Sequence, residues 1–337
     1  MDALSDMGSP FCGCFIAGQN VANRPHVQPP PTRAEMTLRH PILAELDPAR
    51  PILIAGPTAS GKSALALEIA EAQGGTVVNA DALQVWSCWR LLTARPTAED
   101  EARAPHALYG HVAPDRAYSV GAWLAEVAAL MDKGCDSGRG RLIVTGGTGL
   151  YLNALSRGLA VIPPTPPEIR AQADQLVRQP GGLARMIEDL DSSTRARIDL
   201  RNPARVQRAW EVLTTTGRGI AAWQAETPPP LIDPAAAHLL VLNPDRDWLA
   251  ERIARRFHLM LEQGALDEVR AMLPHWNPDA LWAKAIGAPE LVAHLQGRID
   301  LDEAARRAVI ATRQYAKAQR SFFRGRMRDW RWIGIGG

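Results

Sequence analysis

The chain has 337 residues, 46% of them hydrophobic and 22% charged, with a formal net charge of +2. That much apolar material excludes disorder throughout, and the near-neutral balance means that any nucleic-acid surface must come from local charge. No apolar run approaches the roughly 20 residues that span a bilayer, and Cys12, Cys14, Cys88 and Cys135 are too few and too irregularly spaced for a disulfide framework or paired zinc ligands.

Residues 1 to about 46 carry "PPP" and small polar residues without periodicity, and are expected to form a disordered extension. They lack the basic and apolar regions of a signal peptide, Met36 offers an alternative start, and the protein is expected in the cytoplasm. From Pro51 the pattern changes: "ILIAG" reads as a buried strand, a Gly-rich turn follows, and "SALALEIAEA" has helical spacing. "TVVNA" predicts a second strand, "GAWLAEVAALMDKG" a helix and "RLIVTGG", residues 141 to 147, a third strand. A fourth, "HLLVLNP", arrives only at residue 238. Apolar strands alternating with helices predict an α/β fold, a P-loop NTPase-like parallel sheet flanked by helices. Residues 47–162 and 231–337 are assigned to this core, its C-terminal region helical almost to the end. The Arg-rich segment 163–230, bounded by "VIPPTPP" and "ETPPPLIDP", is assigned to an inserted all-helical subdomain.

Gly56, Gly61, Lys62 and Ser63 fit G-x-x-x-x-G-K-[ST] in the strand–loop–helix context that motif requires. In that geometry backbone N–H groups cradle phosphates, the lysine neutralises them and the serine hydroxyl can hold Mg²⁺. Asp81 follows the second strand, at the carboxyl edge where open α/β sheets bind ligands. It suits either a metal-holding carboxylate of a small-molecule kinase or a base beside a phosphate that leaves. A third possibility, an RNA-binding module without covalent chemistry, would make Asp81 dispensable.

Seven segments in order, over about 270 residues, make the chain resemble the tRNA dimethylallyltransferase (tRNA isopentenyltransferase) family: "GPTASGKSALA", "NADALQVW" with "TARP", "GGTGLYLNAL", "RVQRAWEV", "RIARRFHLMLEQGALDEV", "KAIGAPEL" and "TRQYAKAQRSFFR". The resemblance implies transfer of a dimethylallyl group from dimethylallyl diphosphate to N6 of the adenosine 3′-adjacent to the anticodon, by a monomer clasping the anticodon arm. It implies that Gly56, Thr58, Ala59, Ser60, Gly61, Lys62 and Ser63 hold the diphosphate, with Mg²⁺ shared between Ser63 and phosphate oxygens. Asp81 would take the N6 proton, Thr148 would line the channel where the substrates meet, Arg246 would lie near the diphosphate and Arg170 near the nucleotide. Asp81, Ala82, Leu83 and Gln84, and then Arg205, Val206, Gln207 and Arg208, would contact tRNA, the adenosine being flipped from its stack. Trp86 stands where the family usually has tyrosine and offers a stacking surface. The tail "TRQYAKAQRSFFRGRMRDWRW", with seven Lys/Arg, one acidic residue and five aromatics, offers further cations for the RNA backbone. The chain departs from the family pattern at Ala82, Leu92, Arg95 and Ala318, where serine, glycine, lysine and arginine are usual. No zinc-finger spacing follows the tail.

Overall fold

The structure, a computed structural model, describes residues 41–137 and 140–336. The expected extension lies outside the described residues as far as position 40. Within its expected bounds, however, Pro41–Glu45 form a 3-10 turn, and Ile42, Leu43 and Leu46 are buried under one face of the sheet.

Six strands lie parallel in the order β3-β2-β4-β1-β5-β6: β1 Ile52–Ala55, β2 Thr76–Asn79, β3 His106–Ala107, β4 Leu142–Gly146, β5 His238–Pro244 and β6 Arg331–Ile335. β1 and β4 are buried along their whole length, as strands covered on both faces must be. Helix α1 (Lys62–Gln73) packs one face through Leu65, Ala66 and Ile69. Helices α3 (Val120–Ser137) and α4 (Gly149–Arg157) cover the other, and a residue with a Cβ at Gly146 would come within 2.0 Å of the Ala80 carbonyl oxygen. That close approach draws the ends of β2 and β4 together at the carboxyl edge of the sheet.

Between Pro167 and Ala225 run five helices, among them α5 (Pro167–Arg178), α6 (Gly182–Asp189) and α8 (Pro203–Thr216). Ala173, Met186, Leu190, Val206, Ala209 and Trp210 form a hydrophobic cluster drawn from this segment alone. A further layer contains α10 (Arg246–Glu262), α11 (Ala265–Met272), α12 (Ala288–Leu295) and the long α13 (Leu301–Arg326), gathered around Trp89, Phe257 and Trp282. The end of the chain corrects one expectation. After α13 it does not continue as helix but returns as β6, pairing in register with β5 from Leu240↔Arg331 to Pro244↔Ile335.

Candidate active site

The phosphate loop leaves β1 and enters α1 by way of two residues in the left-handed region, Ala59 (φ 63°) and Gly61 (φ 92°). Left-handed backbone is costly for alanine and free for glycine. Ser60 folds inward: its N–H donates to Pro57 O, and its hydroxyl sits 2.7 Å from where a Cβ at Gly56 would fall. The Thr58 N–H donates to Gln319 Oε1 at 2.9 Å. These two donors, expected in the cradle, therefore hold the loop's own shape, and Ser60 is almost wholly buried. The free donors are the N–H groups of Gly61, Lys62 and Ser63 at the head of α1, where a helix has no internal partners to offer.

Three cations close on this loop. Lys62 Nζ reaches back to 3.5 Å from Pro57 O. Arg252 and Arg256, one turn apart on α10, donate to Ala59 O and Thr58 Oγ1, each at 2.9 Å. Burial pushes the Lys62 ammonium down to about 8 and the Arg256 guanidinium to about 10, and in both cases the nearby Asp81 charge opposes the fall. Cations this poorly solvated gain strongly from an arriving anion.

Asp81 stands just beyond β2 in a turn fixed from both sides. Its N–H donates to Asn79 Oδ1 and its Oδ1 accepts the Leu83 N–H at 3.0 Å. Oδ2 points toward Gly147, where a Cβ would lie 3.1 Å away. Thr148 joins the same junction: Oγ1 accepts the Ala82 N–H at 2.9 Å, and the Tyr315 hydroxyl reaches both Thr148 and Gln319. Gln319 is buried and spans the site, taking the Thr58 N–H and giving its own amide hydrogen to Gly147 O at 2.9 Å. One side chain of α13 thus ties the phosphate loop to the turn after β4.

From this junction a cleft of about 560 Å³, including its open mouth, extends along α10. Thr58, Asp81, Arg256 and Tyr315 supply its polar lining, and Leu83, Leu92, Ile253, Phe257, Met260 and Ile286 its apolar lining. The sequence of α10 produces this gradient. Positions 252, 256 and 260 fall on one face at helical spacing, and they read Arg, Arg, Met.

Other expected residues lie elsewhere. Arg246 is exposed at the start of α10, in a separate groove it lines with Arg313, Lys317, Arg320 and Arg324. The phosphate-loop arginines are 252 and 256 instead. Val206, expected to contact tRNA, is fully buried in the cluster of the inserted helices, so only its neighbours can present side chains outward. Gln207 bonds Asp174 and Glu211, while Arg170 and Arg208 both pair with the buried Glu211 carboxylate at 3.6 Å. Arg205 is exposed, and its guanidinium has no partner among the described residues. The Gln84 amide donates to Thr93 O and Ala94 O, which engages both of its hydrogens. Trp86 is not a stacking platform: it is 2% exposed and packs edge-on against Tyr118. In the tail, Phe323 and Trp330 belong to the core rather than to an RNA surface.

Among the described residues no group of three His, Cys, Asp or Glu side chains could by itself hold a metal. Mg²⁺ does not need one, because it keeps waters and is commonly bound through substrate phosphates plus one or two protein oxygens. The exposed Ser63 hydroxyl at the head of α1 fits that partial role.

A parallel sheet with a glycine-rich loop after a central strand and a carboxylate beside it at the carboxyl edge defines a protein of the P-loop class. The chain belongs to the IPP transferase family, whose model matches residues 84–326. It is 60% identical over 290 residues to the tRNA dimethylallyltransferase of Cereibacter sphaeroides, covering 86% of this chain and 90% of that one. It is 62% identical over 293 residues to the same enzyme of Dinoroseobacter shibae, covering 86% and 96%. Among solved structures it resembles the tRNA isopentenylpyrophosphate transferase of Bacillus halodurans, with a TM-score of 0.60, 29% identity and coverage of 85% and 89%. A eukaryotic dimethylallyltransferase acting on tRNA shares the fold, with a TM-score of 0.72 at 24% identity and coverage of 84% and 73%. No helix among the described residues is long and apolar enough to cross a membrane.

Arg252, Arg256, Tyr315 and Gln319 were not singled out from sequence, although all four lie inside segments that carried the resemblance. The available signal was the spacing of Arg252, Arg256 and Met260 on one helical face.

Proposed function

We propose that this protein transfers a dimethylallyl group from dimethylallyl diphosphate to N6 of the adenosine 3′-adjacent to the anticodon of tRNA, releasing diphosphate. One observation carries the reading: Thr58 of the phosphate loop, Asp81 and Arg256 line one cleft together with the apolar Phe257 and Met260. The diphosphate lies on the cradle with Lys62, Arg252 and Arg256 around it, and the branched hydrocarbon lies along Phe257 and Met260.

The N6 lone pair forms the new C–N bond as the allylic C–O bond breaks, and the bonding electrons leave with the diphosphate. Fixed donors and cations aimed at that departing charge stabilise it without reorganisation. Asp81 Oδ2 accepts the proton lost from N6, while Leu83 N–H holds Oδ1 and so fixes the direction in which Oδ2 points. Thr148 and Tyr315 form the wall against which the flipped base comes to rest. The Ser63 hydroxyl would help to hold Mg²⁺, which would supply charge neutralisation on the leaving group. On the RNA side, Arg205 and the cations of the groove beside Arg246 meet phosphates, and Arg170 and Arg208 frame the same helical surface. A single chain carries every part of this site, so the protein acts as a monomer, in the cytoplasm where tRNA is matured.

The test is to incubate the purified protein with Mg²⁺, unmodified tRNA and dimethylallyl diphosphate, and to analyse the digested nucleosides by mass spectrometry. N6-dimethylallyl-adenosine is the expected product. Consumption of ATP with no modified nucleoside would assign the loop to a kinase instead.

A further inference from the structure

The proposal above fixes where the donor's hydrocarbon lies, and the far end of the cleft then sets how long that hydrocarbon can be. We infer that Leu92 is the stop that limits the donor to a single isoprene unit. This rests on the transferase reading and adds to it a residue that determines donor length.

Leu92 lines the cleft from the loop that precedes the short helix Ala98–Arg103, together with Phe257 and Met260 of α10. Its side chain is 5% exposed. A Cβ at Gly287 would lie 2.9 Å from both Leu92 Cδ1 and the Phe257 ring, so these two side chains converge over that glycine, next to Ile286 in the cleft lining. Behind Leu92 the space is filled, because it belongs to the same cluster as Trp89 and Trp282. Its backbone is also immobilised. The Glu268 carboxylate accepts the N–H groups of Arg90, Leu91 and Leu92, the last at 2.9 Å. Three donors on one carboxylate fix the main chain, and close packing against Trp89 and Trp282 leaves the side chain little room to swing aside.

The chemistry of the lining restricts the donor in a second way. Its two hydroxyls beyond the polar end both donate to main-chain carbonyls, Thr93 to Trp89 O and Thr312 to Ala308 O. A hydroxylated prenyl chain would find no free donor there and could pair only by donating to those hydroxyl oxygens, so the lining favours a plain, branched, short hydrocarbon.

Truncating Leu92 to alanine removes three carbons from the lining and lengthens the cleft toward a longer chain. The experiment compares dimethylallyl and geranyl diphosphate as donors to an anticodon stem-loop. Wild-type protein is expected to use the first and to discriminate strongly against the second. In Leu92→Ala the ratio of kcat/KM for geranyl over dimethylallyl diphosphate should rise by at least about tenfold, the scale on which apolar pockets respond to size. Should that variant fold poorly, Leu92→Val, smaller by one methylene, should move the same ratio in the same direction. Ready use of geranyl diphosphate by the wild-type protein, or a ratio unchanged in the folded variants, would overturn the assignment of Leu92. A wild-type protein inactive with dimethylallyl diphosphate would instead refute the transferase reading and the stop along with it.

Discussion

Lys62 brings three influences to one ammonium: burial, the Asp81 carboxylate and the Arg256 cation, with burial the strongest. Its value of about 8 means the free protein carries the full charge only below that pH. An arriving diphosphate favours the charged form, so affinity is greatest below about pH 8 and declines as pH rises through it. Calorimetric titration with inorganic diphosphate should show this decline, and Lys62→Arg should flatten it, because guanidinium stays protonated. Asp81→Asn keeps the shape but removes the acceptor, and kcat should fall by about 10²–10⁴ while tRNA affinity changes little. Equal turnover by that variant would remove Asp81 from proton transfer. At this scale the motif pointed to Gly61, Lys62 and Ser63, since phosphate binding constrains residue type and spacing within one short segment, while Asp81 was read from its place just after the second strand. Arg256 and Gln319 were hidden because they reach the loop from about two hundred residues away or more, which local spacing does not encode. Val206 was misassigned as a surface contact because a run of adjacent helical residues necessarily points in different directions.

The elements that matter most are two helices laid over the loop. α10 delivers Arg252 and Arg256, and α13 delivers Gln319, which bonds the phosphate loop on one side and the β4–α4 turn on the other. Gln319→Leu conserves size but leaves the Thr58 N–H and Gly147 O without their partner, a cost of about 1–3 kcal/mol for each buried group left unpaired. Denaturant unfolding should register that loss, and KM for dimethylallyl diphosphate should rise because the loop is no longer held. Gly146→Ala should be harsher, since the added carbon would press on the Ala80 carbonyl and separate the strands that position Asp81 from those that position Thr148. Strands β1, β2, β4 and β5 were legible as short apolar runs. β6 was not: "RWIGI" is short, follows a long basic helix and lies at the edge, where pairing with β5 gives it strand geometry.

Across the molecule, the carboxyl edge of the sheet carries the phosphate loop, Asp81 and Thr148, while the helices of residues 167–225 and the groove beside α13 present exposed arginines. The helices of residues 167–225 were expected from the segment's Arg-rich, helix-like pattern, yet the polar face they present was not, because Arg170, Gln207 and Arg208 turn toward Asp174 and Glu211. Arg205, without such a partner, is the cleaner probe. Arg205→Ala should weaken tRNA binding and reduce the slope of log affinity against log salt by about one, whereas Val206→Asp should act through stability by burying a charge. The most direct test of the whole account is a crystal structure with an anticodon stem-loop and a non-reactive thio analogue of dimethylallyl diphosphate. The account predicts diphosphate on the Gly61–Ser63 N–H groups, hydrocarbon against Phe257 and Met260 ending at Leu92, and the flipped adenine N6 within hydrogen-bond reach of Asp81 Oδ2. Diphosphate bound away from that cradle, or N6 out of reach of Asp81, would contradict it.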